Sequence, residues 1–255
     1  MKTKDVIIYI SDWLKQYALA SNSKGFIVGI SGGIDSAVTS TLAARTGLPL
    51  ICMDMPIYQN KSEVNRGLQH IKWLKSHFSN VSSKKINLTS TFDEFIKKIP
   101  SKRSELALAN TRARLRMTTL YYFAQANNSL VTGTGNKVED FGIGFFTKYG
   151  DGGVDISPIA DLLKSEVYII GKELGINNDI LNAPPTDGLW EDNKTDEDQI
   201  GATCPELEWA MGFSGDLHTL SKRQKEVIEI YTSLNYKNQH KMIDIPICKI
   251  PKNLK

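Results

Sequence analysis

Two adjacent glycines sit among two hydroxyls and a carboxylate in Gly29-Ile30-Ser31-Gly32-Gly33-Ile34-Asp35-Ser36. Glycine lets a main chain turn sharply and lets a ligand approach it closely. The apolar run Phe26-Ile27-Val28 precedes the segment and Ala37 to Ala44 follow it, so the expected order is strand, glycine turn, helix. Amides of such a turn and of the first helical turn converge on one point, which the helix dipole makes attractive to anions. Ser31 and Ser36 add hydroxyl donors. Asp35 fits a phosphate cradle if a divalent cation lies between its carboxylate and the phosphate.

The segment is neither a Walker loop, since no GxxxxGK[ST] is present, nor a dinucleotide fingerprint, since GxGxxG is absent. Gly29 to Gly33 does read as G-x-S-x-G, the nucleophile elbow of α/β-hydrolases. Asp155 or Asp179 and then His240 follow in the chain order of such a triad. That reading makes Ser31 a nucleophile and leaves Asp35 and Ser36 without a role. An anion cradle and a serine hydrolase are both open on this stretch alone.

The spacing of apolar residues predicts the elements that must position these groups. Val6, Ile10, Trp13, Leu14 and Tyr17 predict an amphipathic helix over 5–20. Strands are expected at 25–30, 48–53, 84–88 and 129–133, and helices at 34–46, 64–78, 91–99, 105–126 and 162–174. Val227, Ile228, Tyr231 and Leu234 predict a last helix, followed by a tail from Tyr236 that holds His240-Lys241. Segments 145–155 and 183–201 read as loops, the second long enough to be functional or disordered. Strands alternating with helices predict an α/β fold: three layers, a mainly parallel central sheet with helices on both faces, Rossmann-like, as one domain over 1–255. Such sheets bind ligands at the carboxyl ends of their strands.

Bulk properties narrow the class. The formal charge of +3 is too small to argue for nucleic acid. Cys52, Cys204 and Cys248 are odd in number and far apart, which argues against a zinc ribbon or a disulfide framework and fits a reducing, cytoplasmic setting. The charged N-terminus does not read as a signal peptide, and no apolar run approaches a membrane span.

Ser31 to Ser36, as Ser-Gly-Gly-x-Asp-Ser, resembles the pyrophosphate loop of the ATP-pyrophosphatase superfamily, whose members cut ATP between its α and β phosphates and adenylate a substrate oxygen. Other segments resemble one family within it, the NAD synthetases. Asn110 to Met117 resembles N-x-[KR]-A-R-x-R-M. Gly133 to Glu139 resembles G-T-x-x-x-x-E. Phe145-Phe146-Thr147-Lys148-Tyr149-Gly150-Asp151-Gly152-Gly153-Val154-Asp155 is similar nearly letter for letter to F-x-T-K-Y-G-D-G-G-x-D. Pro158 to Lys164, Pro185-Thr186, Thr195 to Asp198 and His240-Lys241 resemble further family segments in the same order.

The resemblance implies ATP-dependent amidation of deamido-NAD to NAD, through an adenylate with release of AMP and pyrophosphate. It implies that Gly29, Ile30, Ser31, Gly32, Gly33, Ile34, Asp35, Ser36, Thr134, Lys164 and Thr186 bind ATP. It implies that Arg116, Lys148, Asp155, His240 and Lys241 bind deamido-NAD, that Asp35 and Glu139 hold Mg²⁺, and that Asp35, Lys164 and Asp155 form the catalytic set. A homodimer is implied, with no nucleic-acid or membrane partner. Glutamine-dependent relatives add an N-terminal glutaminase domain; here about 30 residues precede the loop, so free ammonia is the expected nitrogen donor. One departure stands out. Many relatives carry an arginine after the second strand that helps hold ATP, whereas Cys52-Met53-Asp54-Met55-Pro56 has no base. Two alternatives accompany this reading, a tRNA-modifying ATP pyrophosphatase and the Ser31 hydrolase.

Overall fold

A computed structural model describes residues 1–100, 104–183 and 196–255. In chain order the main elements are α1 (Thr3–Ala20), β1 (Gly25–Gly29), α2 (Ile34–Arg45), β2 (Leu50–Asp54), α3 (Lys61–His77), β3 (Val81–Lys85), α4 (Thr89–Lys97), α5 (Glu105–Ala126) and β4 (Ser129–Val131). A short π-helix (Lys137–Gly142) follows, then α6 (Lys164–Glu173), α7 (Asn178–Leu181), α8 (Asp196–Ile200), α9 (Cys204–Gly212) and α10 (Lys222–Met242).

The four strands form one parallel sheet in the order β3-β2-β1-β4. Side chains alternate along β1, as they must in a strand. Phe26 and Val28 join Leu14, Val38, Leu42, Ile71, Leu74, Val167 and Ile170, from α1, α2, α3 and α6, on one face. Ile27 joins Met53, Val131, Phe92, Met117 and Leu120 under α4 and α5 on the other. The expected three-layer, parallel α/β arrangement is therefore the one observed. A third apolar cluster, Val138, Ile143, Leu207, Ala210 and Val227, binds the π-helix to α9 and α10.

Several elements differ from the sequence expectation: α8 occupies Asp196–Ile200 at the end of the segment expected as a loop over 183–201, and α7 and α9 have no counterpart in the expected helices. The third strand runs over Val81–Lys85, not 84–88, pairing Val81 with Leu50 and Lys85 with Asp54. Its polar residues are those of a sheet edge, where lysines deter further pairing; the apolar Leu88 instead packs under α4 and α5. His240 and Lys241 lie in the last turn of α10, not in a tail. That helix buries only Val227, so its periodicity fades along its length.

Candidate active site

The chain runs outward from β1 to β2 and β3, then returns to place β4 on the other side of β1. This reversal opens a crevice beyond the carboxyl ends of β1 and β4, where an open α/β sheet binds ligands. The glycine loop leaves β1 on one side and Thr132 to Asn136 leave β4 on the other.

The loop is tied by its own hydroxyls. Ser36 Oγ donates to the Gly33 carbonyl at 3.0 Å, Ser31 and Ser36 lie 3.1 Å apart through their Oγ atoms, and the Gly33 amide donates to Ser31 Oγ at 3.2 Å. Gly32 turns with φ of 86°, in the left-handed region that glycine enters without strain. The N-cap of α2 is Gly33, which has no side chain to cap it, so the first-turn amides suit an anion. Among the described residues the side-chain group bonded to Ser31 Oγ is the Ser36 hydroxyl, and His240 belongs to another group of residues. A serine nucleophile needs a base within hydrogen-bond reach, so the hydrolase reading is set aside.

At the mouth of the loop three charges meet. Lys164, the first residue of α6, lies 2.6 Å from Asp35 Oδ2 and 3.1 Å from Glu139 Oε1. Asn136 joins the two acids, donating to Glu139 Oε2 at 2.8 Å and Asp35 Oδ1 at 3.3 Å. Its own Oδ1 accepts from the Val138 and Glu139 amides, fixing the π-helix. Burial would push the Lys164 ammonium down, but Asp35 and Glu139 more than reverse this and hold it well above its ordinary range. Asp35 is raised by burial, an effect Lys164 offsets only in part. Cys204 Sγ lies 3.6 Å from Glu139, and burial pushes that thiol up to about 12, leaving it a neutral neighbour.

The segment 145–155 hangs between two helices. From α5, Asn110 accepts from the Thr147 hydroxyl at 2.7 Å, Arg114 donates to the Lys148 carbonyl at 3.2 Å, and Tyr121 donates to Asp155 at 2.9 Å. From α10, Asn235 and Asn238 donate to the Gly142 and Ile143 carbonyls, and Lys241 donates to those of Gly144 and Phe146. Lys148 in turn donates to the His240 carbonyl. A cavity of about 80 Å³ lies beside this segment, lined by Gly133, Asp140, Phe146, Asp151, Ser157 and Lys241 among others. Burial, and then the nearby Asp151, push the Asp140 carboxyl well above the usual range.

The expected site residues thus fall into separate groups. Asp35, Glu139 and Lys164 meet at the loop, with Thr134 between β4 and Asn136. Lys148, His240 and Lys241 meet at the end of α10. Asp155 stands elsewhere: one oxygen accepts from Tyr121 and the other from the Val131 amide at 2.8 Å. Its carboxylate holds the edge of β4 and shares no hydrogen-bond partner with the Lys164 cluster. Arg116 reaches the end of β2, donating to the Met55 carbonyl and to Gln59, each at 3.0 Å. Thr186 lies outside the described residues. Asn136, Cys204 and Glu208, which accepts from Ser165 at the start of α6, carried no sequence signal.

The family model for NAD synthase matches residues 6–245. The chain is 40% identical over 210 residues, 82% of its own length and 84% of the relative's, to the NH(3)-dependent NAD(+) synthetase of Mesoplasma florum. The structure of NMN synthetase from Francisella tularensis is similar with a TM-score of 0.86 and 32% identity, over 99% of both chains. NH3-dependent NAD synthetase from Campylobacter jejuni is similar with a TM-score of 0.77 and 29% identity, over 98% of this chain and 100% of that one.

Proposed function

The chain belongs to the NAD synthase family and is a ligase of NAD synthesis from ammonia, and from that premise we propose how its residues divide the reaction. A carboxylate cannot be displaced by ammonia, because oxide is not a leaving group. Deamido-NAD therefore attacks the α-phosphorus of ATP through its nicotinate carboxylate, pyrophosphate leaves, and ammonia then attacks the acyl carbon of the adenylate to give NAD and AMP. The observation that carries this reading is the Asp35–Lys164–Glu139 cluster at the mouth of an uncapped glycine loop.

In this reading the loop amides, with Ser31 and Ser36, hold the departing pyrophosphate, as preorganised donors do for developing charge. Lys164 adds a fixed positive charge beside them. Thr134 and Thr186 contact ATP, and Lys148, His240, Lys241 and Arg116 bind deamido-NAD. Asp155 orients the 145–155 segment against β4. Asp151, at the cavity, receives the proton lost by ammonium.

Mg²⁺ fits the residues present. Asp35 and Glu139 already converge on one cation, Lys164 Nζ. Among the described residues no group of three or more His, Cys, Asp or Glu forms a complete cage. Mg²⁺ is commonly held by one or two carboxylates with substrate phosphates completing its shell. When bound, it neutralises charge on the pyrophosphate. We further propose a cytoplasmic homodimer, with α5, which exposes Leu106 and Tyr122, at the interface. Among the described residues no helix is long and apolar enough to cross a membrane.

The test is incubation with deamido-NAD, ATP, Mg²⁺ and ammonium. NAD, AMP and pyrophosphate are expected in equal amounts; formation of ADP, or turnover without ATP, overturns the proposal. The likeness to an NMN synthetase over the full chain favours a second reading, in which the acid amidated is the mononucleotide. Competition between nicotinate mononucleotide and deamido-NAD in one reaction decides between the two.

A further inference from the structure

We infer that Arg66 binds the phosphate chain of ATP from the α3 side of the glycine loop. The inference rests on the ATP-dependent reading above and assigns to it a residue outside every motif in the sequence.

Packing brings α3 against the loop backbone. A Cβ added to Gly32 would lie 2.4 Å from the Glu63 carbonyl, 3.0 Å from the Gly67 amide and 3.3 Å from Arg66 Cβ. Loop and helix touch main chain to main chain, which fixes the stem of Arg66 relative to the cradle. Its guanidinium is then seated on the loop itself, with Nε donating to the Gly32 carbonyl at 3.2 Å. Among the described residues its terminal amines make no further hydrogen bond, and the side chain is half-buried. A planar guanidinium held by one edge, with its other donors available, is suited to bidentate phosphate recognition.

Charge supplies the second argument. Lys164 is the conspicuous cation of the site, yet it is matched by two carboxylates within 3.1 Å. The polyanionic nucleotide therefore meets a cradle whose lysine is already compensated. The end of β2 carries no base of its own: it holds the buried acid Asp54, paired to Lys85 at 3.4 Å, and the guanidinium of Arg116 that reaches it is bonded to the Met55 carbonyl and Gln59. Arg66 is the cation in hydrogen-bond contact with the loop's own backbone.

Bracing Gly32 and binding phosphate are separable. Arg66→Gln keeps an N–H donor for the Gly32 carbonyl and removes the charge; Arg66→Lys keeps the charge. Loss of a charge-assisted contact should raise the ATP KM of Arg66→Gln by about 10- to 100-fold, with the ammonia KM unchanged. Calorimetry should show a parallel loss of Mg²⁺-pyrophosphate affinity, and Arg66→Lys should recover part of both. A normal ATP KM and pyrophosphate affinity in folded Arg66→Gln overturns the inference, as does a fall in melting temperature and kcat with pyrophosphate affinity unchanged, the pattern of a brace alone. If the wild-type protein forms no NAD, the reaction assignment fails instead, and calorimetry still tests Arg66.

Discussion

Lys164 keeps its proton in surroundings that would strip an isolated amine, because two carboxylates lie against it. That makes the cluster interdependent: removing one member exposes the cost of burying the others. Asp35→Asn preserves the shape and the Lys164 contact but deletes a charge. It should lower kcat/KM for ATP by about 10²-fold or more, the scale seen when one preorganised electrostatic group is lost, and lower the melting temperature without unfolding the chain. Full activity in Asp35→Asn would remove Asp35 from the site. A second buried group behaves in the opposite sense. His70 Nε2 lies 2.9 Å from Ser40 Oγ on α2, and burial lowers its pKa to about 4 from 6.5. Between pH 6.5 and 4 the unfolded chain takes up a proton that the folded chain refuses, so stability must fall as pH is lowered through that window. Lowering the pH from 7 to 5 should cost about 2 kcal/mol from this residue. Urea unfolding at the two pH values should show the loss, and His70→Gln should remove most of it.

At the scale of elements, the site depends on helix ends and on the elements that hold them. Lys164 begins α6, and the adjacent Ser165 is gripped by Glu208 of α9, which accepts from its amide at 2.7 Å and its hydroxyl at 2.8 Å. The α9 helix is in turn held by Thr203 and Glu206 in a capping box and by Arg223 of α10, forked on Glu206 at 2.8 Å. Glu208→Ala should therefore cost about 1 kcal/mol of stability, as loss of a cap does. It should also lower kcat, because Lys164 loses its fixed seat; unfolding curves and steady-state kinetics on the same preparation separate the two effects. The sequence exposed these elements unevenly. The bounds of α5 agree with its apolar spacing, since the helix buries Ala109, Ala113, Met117, Leu120 and Ala124 at regular turns. The glycine loop was equally legible, because only a turn and a helix start account for adjacent glycines beside Ser31, Asp35 and Ser36. The edge strand at Val81–Lys85 was misplaced because Ser82 to Lys85 carry no apolar alternation. Glu208, Asn136 and Arg66 stayed silent because each acts across a tertiary contact, on a residue 43, 101 or 34 positions away.

For the whole molecule, the question is whether two chains associate. Leu106 and Tyr122, near the two ends of α5, stand 60% and 70% exposed; singly exposed apolar residues are ordinary, so the proposed interface stands on its test. If α5 forms the proposed interface, light scattering should report twice the chain mass of 28.4 kDa, and Tyr122→Asp should give monomer. A single species at 28.4 kDa for the unaltered protein would refute it. The Asp35–Glu139–Lys164 cluster also ties the molecule together. The three residues come from distant parts of the chain, and the cation that completes the set is supplied last. The cluster therefore closes only when the loop after β1, the π-helix and the start of α6 are folded together, so its formation reports assembly of the whole sheet rather than of any one segment.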